Sequence, residues 1–120
     1  MNTTQDAERI GLLCELKHGI GIAVASTVLT FFDPKNYGVF DFHVWQEVFG
    51  GRPKYTVMEY VKLLSKLRQE AEMQDLGTRT IEKACFKKNY DESENARERQ
   101  ARALVKKLGM IATRSARDMS

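Results

Sequence analysis

The chain has 120 residues, of which 42% are hydrophobic and 29% are charged, a balance typical of one globular domain. No apolar run approaches the roughly 20 residues that span a bilayer, and Asp6, Glu8 and Arg9 interrupt the apolar core that a signal peptide needs. We therefore predict an intracellular protein, cytoplasmic or in the nucleoid or nucleus, with no membrane partner. Cys14 and Cys85 are predicted to be buried free thiols.

The charge is unevenly distributed along the chain. Residues 1–50 have a net charge of −3, residues 51–96 of +1 and residues 97–120 of +5. The basic tail is compatible with nucleic-acid contact and equally with a solvated helix face. The acidic first part argues against strong non-specific DNA binding there, because phosphate contacts need Lys and Arg.

Apolar residues recur at helical spacing along the chain, and no segment alternates at period two for long enough to form a sheet. The first predicted helices cover residues 6–16, 22–32 and 43–49, and Thr56 is predicted to cap a fourth that ends near residue 73. The second is apolar on nearly every side and is therefore expected to be the buried centre of the domain. Aromatic residues are expected in the core, namely Phe31, Phe32, Trp45, Phe49 and Tyr60.

The rest of the chain is predicted to form two helices. One restarts at Gly77 and Thr78, and the other opens at Asp91 with a capping-box partner at Glu94 and closes at Gly109. We expect an all-α fold, a compact bundle of about five to six helices. Residues 1–90 are expected to form its core, and residues 91–120 a C-terminal basic helix and tail of the same domain.

Two glycines separate the first two predicted helices. Gly19 and Gly21 are expected to supply backbone conformations that a side chain would resist, which gives a very tight helical hairpin. The first N–H groups of the second helix would then point outward and could hold a phosphate. The alternative is that the glycines form only a tight connection. The candidate DNA-binding residues are Lys17, His18, Gly19, Ile20, Gly21 and Ile22.

Asp41 is the first candidate for chemistry and follows Gly19 by 22 residues. An aspartate just before a predicted helix is also a standard N-cap. Asp41 could therefore be only a cap, a catalytic residue, or a retained catalytic position that this chain cannot use. The hairpin and this aspartate, taken with their interval, resemble the helix-hairpin-helix DNA glycosylases, the superfamily of endonuclease III and oxoguanine glycosylase. The residues that carry the resemblance are Gly19, Ile20, Gly21 and Ala25 in the hairpin, and Asp41, His43 and Val44 after it.

The likeness is closer to small, uncharacterised members of that superfamily and covers about residues 7–90. Those members continue after the hairpin with a pattern that Asp33, Pro34, Tyr37, Gly38, Val39, Trp45 and Gln46 match.

The resemblance implies a concrete chemistry. Hairpin amides would hold a DNA phosphate, with no cofactor except a monovalent cation that hairpin carbonyls bind in some members. Asp41 would stabilise the positive charge that develops on the sugar as a flipped base leaves, or would position the nucleophile. Bifunctional members carry a lysine at the position of Ala23, so any glycosylase activity here is expected to be monofunctional. His43 is expected to have a structural role.

Three functions remain open from the sequence. The favoured one is a DNA-binding helix-hairpin-helix protein that contacts the phosphate backbone and needs a protein partner, or an absent N-terminal segment, to complete a base pocket. The second is a monofunctional DNA N-glycosylase that uses Asp41. The third is a helical protein–protein interaction module without DNA activity.

Overall fold

A computed structural model describes residues 3–16 and 21–118 of the chain. Within these residues the chain forms five α-helices and no strand, which confirms the predicted all-α bundle. Its residue contacts divide into two compact units, residues 1–89 and 90–120, which are described separately. The helices are α1 Thr3–Leu16, α2 Ile22–Phe32, α3 Phe42–Phe49, α4 Val57–Gln74 and α5 Thr78–Asp118.

Helix α4 is the centre of the first unit. Thr56 caps it as predicted, because its hydroxyl accepts the backbone N–H of Glu59 at 3.2 Å. Helices α1 and α3 both pack against α4, and α1 also packs against α2. The side chains of α4 that these helices cover recur at helical spacing and form most of the core. They are Tyr60, Val61, Leu63, Leu64, Leu67 and Ala71.

A buried ion pair fixes α1 to α4. Arg68 contacts both carboxylate oxygens of Asp6, at 2.5 and 3.1 Å, and its Nε donates to the backbone carbonyl of Asn36 at 2.7 Å. The Asp6 side chain has no solvent exposure, so removing either charged partner would leave the other buried without compensation. The pair therefore ties α1 and α4 to the segment that follows α2.

The prediction that α2 is the buried centre is wrong, although its bounds are as predicted. Its buried residues are the small Ala25, Ser26 and Thr30, whereas Phe31 and Phe32 are 80% and 78% exposed. Small residues let α2 pack closely against its neighbours through one face. The two phenylalanines lie in the last turn of α2 and are not core residues, contrary to expectation, while Trp45, Phe49 and Tyr60 are core residues or pack against the core, as expected.

Helix α5 replaces the two helices that were predicted after residue 77. Asp91 is not an N-cap and Gly109 does not end a helix, because both lie inside α5. Residues 86–91 contain neither glycine nor proline, so nothing in them stops a helix that is already formed. Glu94 pairs with Arg97 one turn later at 3.1 Å instead of forming a capping box. One interior glycine costs about 1 kcal/mol, which a long helix tolerates.

In the second unit, α5 exposes apolar side chains as well as charged ones. Leu104, Val105 and Leu108 are each more than half exposed, and Glu98 pairs with Arg102 at 2.6 Å. No helix among residues 3–16 and 21–118 combines the length and the apolar content that a crossing of the bilayer would require.

Candidate functional site

An extended segment, residues 37–41, leads from the end of α2 to the start of α3 and is buried in the first unit. Three side chains from three helices bind its backbone in place of a neighbouring strand. Tyr60 donates its hydroxyl to the Gly38 carbonyl at 2.8 Å. Glu82 accepts the N–H of Val39 at 2.7 Å, and Ser26 accepts the N–H of the next residue, Phe40, at 2.8 Å.

These bonds are needed because a buried backbone group without a partner costs about 1–3 kcal/mol. Together the three hydrogen bonds fix the backbone that leads into Asp41, and so they fix the position of Asp41. Gly38 is required at one end of the segment, since a Cβ there would lie 3.0 Å from the Cβ of Glu82 and 3.2 Å from Leu67.

Asp41 has the capping role that the sequence offered as one alternative, while its catalytic role stays a prediction. Its Oδ2 accepts the backbone N–H of His43 at 2.7 Å, so the carboxylate caps α3 as predicted. The same side chain also lines an open cleft of about 320 Å³. In the part of the chain that the structure describes, His43 is the only hydrogen-bond partner of the carboxylate. The capping bond uses Oδ2 and leaves Oδ1 without a hydrogen-bond partner among the described residues.

The cleft brings together side chains that are distant in sequence. Its volume is at the lower end of the range for small-molecule sites. One wall comes from α2 and the extended segment, and the other comes from the first turns of α5. Besides Asp41, the lining residues are Thr27, Val39, Arg79, Glu82, Lys83 and Phe86.

The two carboxylates of the cleft differ in their surroundings. Glu82 is almost fully buried, and burial raises the pKa of its carboxyl above the ordinary value, while the Val39 N–H and the Arg79 guanidinium act in the opposite direction. Asp41 is only half-buried. Arg79 forms an ion pair with Glu82 across one helical turn. Glu82 is thus engaged in structural contacts, and Asp41 is the carboxylate that a ligand can reach.

Aromatic side chains support the segment from the side of Asp41. The ring of Phe40 stacks between Trp45 and Tyr55, with ring centroids 5.8 and 4.9 Å away. Burial raises the pKa of the Tyr55 hydroxyl, and the negative charge of Asp41 raises it further. Tyr55 has a φ of 55°, a left-handed conformation that is rare for an aromatic residue. Such strain persists only where the surroundings hold it.

His43 has the structural role that was expected. Its Nδ1 lies 2.8 Å from the amide oxygen of Asn89, which can only accept, so Nδ1 carries the proton. Its ring also packs edge to face against Phe86, with centroids 5.2 Å apart. These contacts connect the start of α3 with α5 and place Phe86 at the cleft.

Most of the predicted hairpin lies outside the described residues, namely Lys17, His18, Gly19 and Ile20. Gly21 and Ile22 are described. The expectation that Gly21 supplies a conformation that side chains resist is wrong: its φ is −75° and its ψ 168°, an extended conformation open to any residue. A Cβ there would meet nothing within 4 Å. Gly21 is the N-cap of α2 and, unlike Asp41, provides no side-chain hydrogen bond to the helix start.

The position of Ala23 relates α2 to the cleft. Ala23 and Thr27 are one turn apart, and the Thr27 hydroxyl donates to the Ala23 carbonyl at 2.9 Å. Residues at this spacing share a helix face, and Thr27 lines the cleft. Ala23 therefore lies on the side of α2 that adjoins the cleft.

The sequence reasoning missed the cleft residues of α5. Arg79, Lys83 and Lys87 follow one another at intervals of four, which could have indicated a cationic row on one helix face. Nothing in the sequence marked Tyr55, because its unusual φ is imposed by the fold. In the described residues no three His, Cys, Asp or Glu side chains form a group that could hold a metal ion. Cys14 and Cys85 are free thiols, as predicted, but both are only partly buried and not buried as expected.

We compared the chain with known proteins, and no family model, curated protein or solved structure matches it.

Proposed function

We propose that this protein binds DNA through the start of α2 and the adjoining cleft. The observation that carries the proposal is that Asp41 opens onto a cleft whose other side presents Arg79 and Lys83. A carboxylate alone would repel a polyanion, whereas the cations of α5 can contact phosphates around it. The start of α2 adds N–H groups without a side-chain cap, and such groups favour an anion.

The resemblance to helix-hairpin-helix glycosylases supports the same proposal. It assigns phosphate binding to the residues that precede α2, and α1 packs against α2 as two helices of a hairpin would. It also assigns the base pocket to the neighbourhood of Asp41. In this protein the cleft wall opposite Asp41 comes from α5. A partner protein or a further segment that extends this wall remains part of the proposal.

A second function, monofunctional base excision, is favoured by the free oxygen of Asp41. A carboxylate at the edge of a cleft that can admit a flipped base would stabilise the positive charge on the sugar as the glycosidic bond breaks. Ala23 offers no amine on the α2 side of the cleft, and the amine among its lining residues, Lys83, comes from α5 and not from the position that carries the lysine in bifunctional members. The burial-raised pKa of the Cys85 thiol also makes this residue a poor nucleophile.

DNA binding is tested by fluorescence anisotropy with a labelled duplex over a range of salt concentrations. We expect affinity to fall steeply with salt, and Gly21→Val to abolish most of it. The extended backbone at Gly21 accommodates valine, so circular dichroism should show an unchanged fold. Gly11→Ala, also in open space on α1, is the matched control. Unchanged affinity in Gly21→Val would rule out the start of α2 as the phosphate site, and a salt-insensitive association would point to a protein-interaction module.

A further inference from the structure

We propose that Phe31 and Phe32 form a stacking platform for unpaired nucleotides and that the protein prefers single-stranded to duplex DNA. The proposal rests on the proposed DNA binding and names its substrate class. The two rings end α2 and lie edge to face, with centroids 5.3 Å apart. Both are about four-fifths exposed, which is unusual for two large neighbouring apolar side chains.

The platform adjoins the cleft. Phe31 follows Thr27 by one turn of α2 and shares its side of the helix, and Thr27 lines the cleft. A strand that entered the cleft at Asp41 could therefore continue over Thr27 onto the Phe31 ring.

Cations line the opposite side of the cleft in a row. Arg79 and Lys83 lie in its wall, and Lys87 follows one turn later on α5. Successive members are about 6 Å apart along the helix axis. Among the described residues neither Lys83 nor Lys87 has an ion-pair partner. Both ammonium groups are thus available for phosphates, while the rings of Phe31 and Phe32, at the end of the helix that contributes Thr27 to the cleft, are available for bases.

This pairing of rings and cations fits single strands better than other partners. Bases of a duplex cover each other's faces, whereas an unpaired base can stack on an aromatic ring. Phenylalanine has no polar atom to read a base edge, so the platform should tolerate any sequence. Exposed apolar surface continues along α2 to Val24, which is 54% exposed, so only charge argues against a protein partner. The charge of the row favours a polyanion.

The test compares a short oligothymidylate with a duplex of equal length by fluorescence anisotropy. We expect the wild-type protein to bind the single strand more tightly. The double variant Phe31→Ala/Phe32→Ala should lose about tenfold in single-strand affinity for each ring and keep its duplex affinity. Phe31→Leu/Phe32→Leu keeps the apolar area without the flat ring and should lose nearly as much. Met73→Ala, which removes an equally exposed apolar side chain from α4, should change nothing.

The outcomes separate this inference from the proposed function. Binding of neither DNA form overturns both. In another outcome, Gly21→Val abolishes duplex binding but the double alanine variant binds single strands as tightly as the wild-type protein. That result would overturn only the stacking platform. Wild-type affinity in the leucine pair also overturns it, because apolar contact would then suffice. If the alanine pair alters the sedimentation coefficient instead of DNA affinity, the rings are a contact between copies of the chain and the platform is wrong.

Discussion

Helix α2 begins after Gly21, which has no side chain to accept a hydrogen bond, whereas α3 begins after Asp41, whose carboxylate accepts the N–H of His43. Gly21 therefore leaves the start of α2 without a side-chain cap, whereas Asp41 both caps α3 and lines a cleft. If our proposal holds, the first start contacts an anion and the second stabilises positive charge.

The largest effect is expected from Asp41→Asn. Asparagine caps a helix as well as aspartate, so the free energy of unfolding should stay within a few tenths of a kcal/mol. If the cleft excises bases, release of damaged bases from duplex oligonucleotides should fall by about 10²–10³ because the negative charge is lost. The measurement pairs urea unfolding with a base-release assay.

A matched control for Asp41→Asn is Thr56→Ala, which removes the cap of α4 and should cost about 1 kcal/mol without slowing base release. Two results would show that Asp41 only caps α3. One is base release by Asp41→Asn at the wild-type rate, and the other is no base release by the wild-type protein from a broad panel of lesions.

Gly38→Ala should displace the start of α3 without altering the start of α2. The new methyl group would press on the Cβ of Glu82 at 3.0 Å and on Leu67, and we expect a loss of about 1–3 kcal/mol in the free energy of unfolding. Gly11→Ala, where nothing lies within 4 Å, should instead stabilise α1 by up to about 1 kcal/mol. Urea denaturation of both variants measures the difference in their free energies of unfolding. Equal midpoints would mean that the extended segment accommodates the extra methyl group without cost.

Gly21→Asp would make the start of α2 like that of α3. The new carboxylate would cap α2 and gain a few tenths of a kcal/mol relative to glycine, while repelling a phosphate from the same N–H groups. We expect a slightly higher melting temperature together with a DNA affinity lowered by about tenfold or more. Gly21→Ala separates charge from size, since it should bind DNA much more tightly than the aspartate variant. Equal binding by both would show that this helix start does not contact DNA.

The smallest effect concerns pH and Glu82. Burial raises the pKa of this carboxyl in the folded protein. Below its ordinary value, 4.5, the group is protonated in both states and carries no ionisation penalty. As the pH rises from there to the raised pKa, the unfolded chain loses the proton first, so wild-type stability declines and then levels off.

Glu82→Gln keeps an oxygen for the Val39 N–H but cannot ionise, so this contribution to the decline should disappear. Unfolding free energies measured over the acidic range should therefore improve for the variant relative to the wild-type protein as the pH rises. A constant difference between the two proteins would contradict the raised pKa.

The sequence predicted the helices best where local signals were strong. Asp33 and Pro34 end α2 at the predicted residue, and Thr56 starts α4 as its hydroxyl suggested. The predicted helix ends at Asp91 and Gly109 were wrong. A capping residue or a glycine marks the end of a helix only where other interactions favour a non-helical backbone. Continued propagation gains a hydrogen bond for each residue, so α5 runs through both positions.

The candidate site was only half predictable for a physical reason. Asp41 and the start of α2 are close in sequence, and their spacing could be compared with a known pattern. The opposite wall comes from residues 79–86, and their approach depends on how α5 packs. The exposure of Phe31 and Phe32 was equally hidden, since apolar residues predict burial on average but not which helix face meets a neighbour.

The extended segment has a consequence for how its amides exchange with solvent deuterium. The N–H groups of Val39 and Phe40 are bonded to side-chain oxygens of Glu82 and Ser26, not to a backbone ladder. Their protection is thus controlled by two side chains that mutation can remove one at a time while every helix remains. Deuterium exchange at these two amides should therefore become faster when the backbone next to Asp41 becomes more mobile, before exchange at any helical amide changes. The two amides can be used to monitor whether the site is intact.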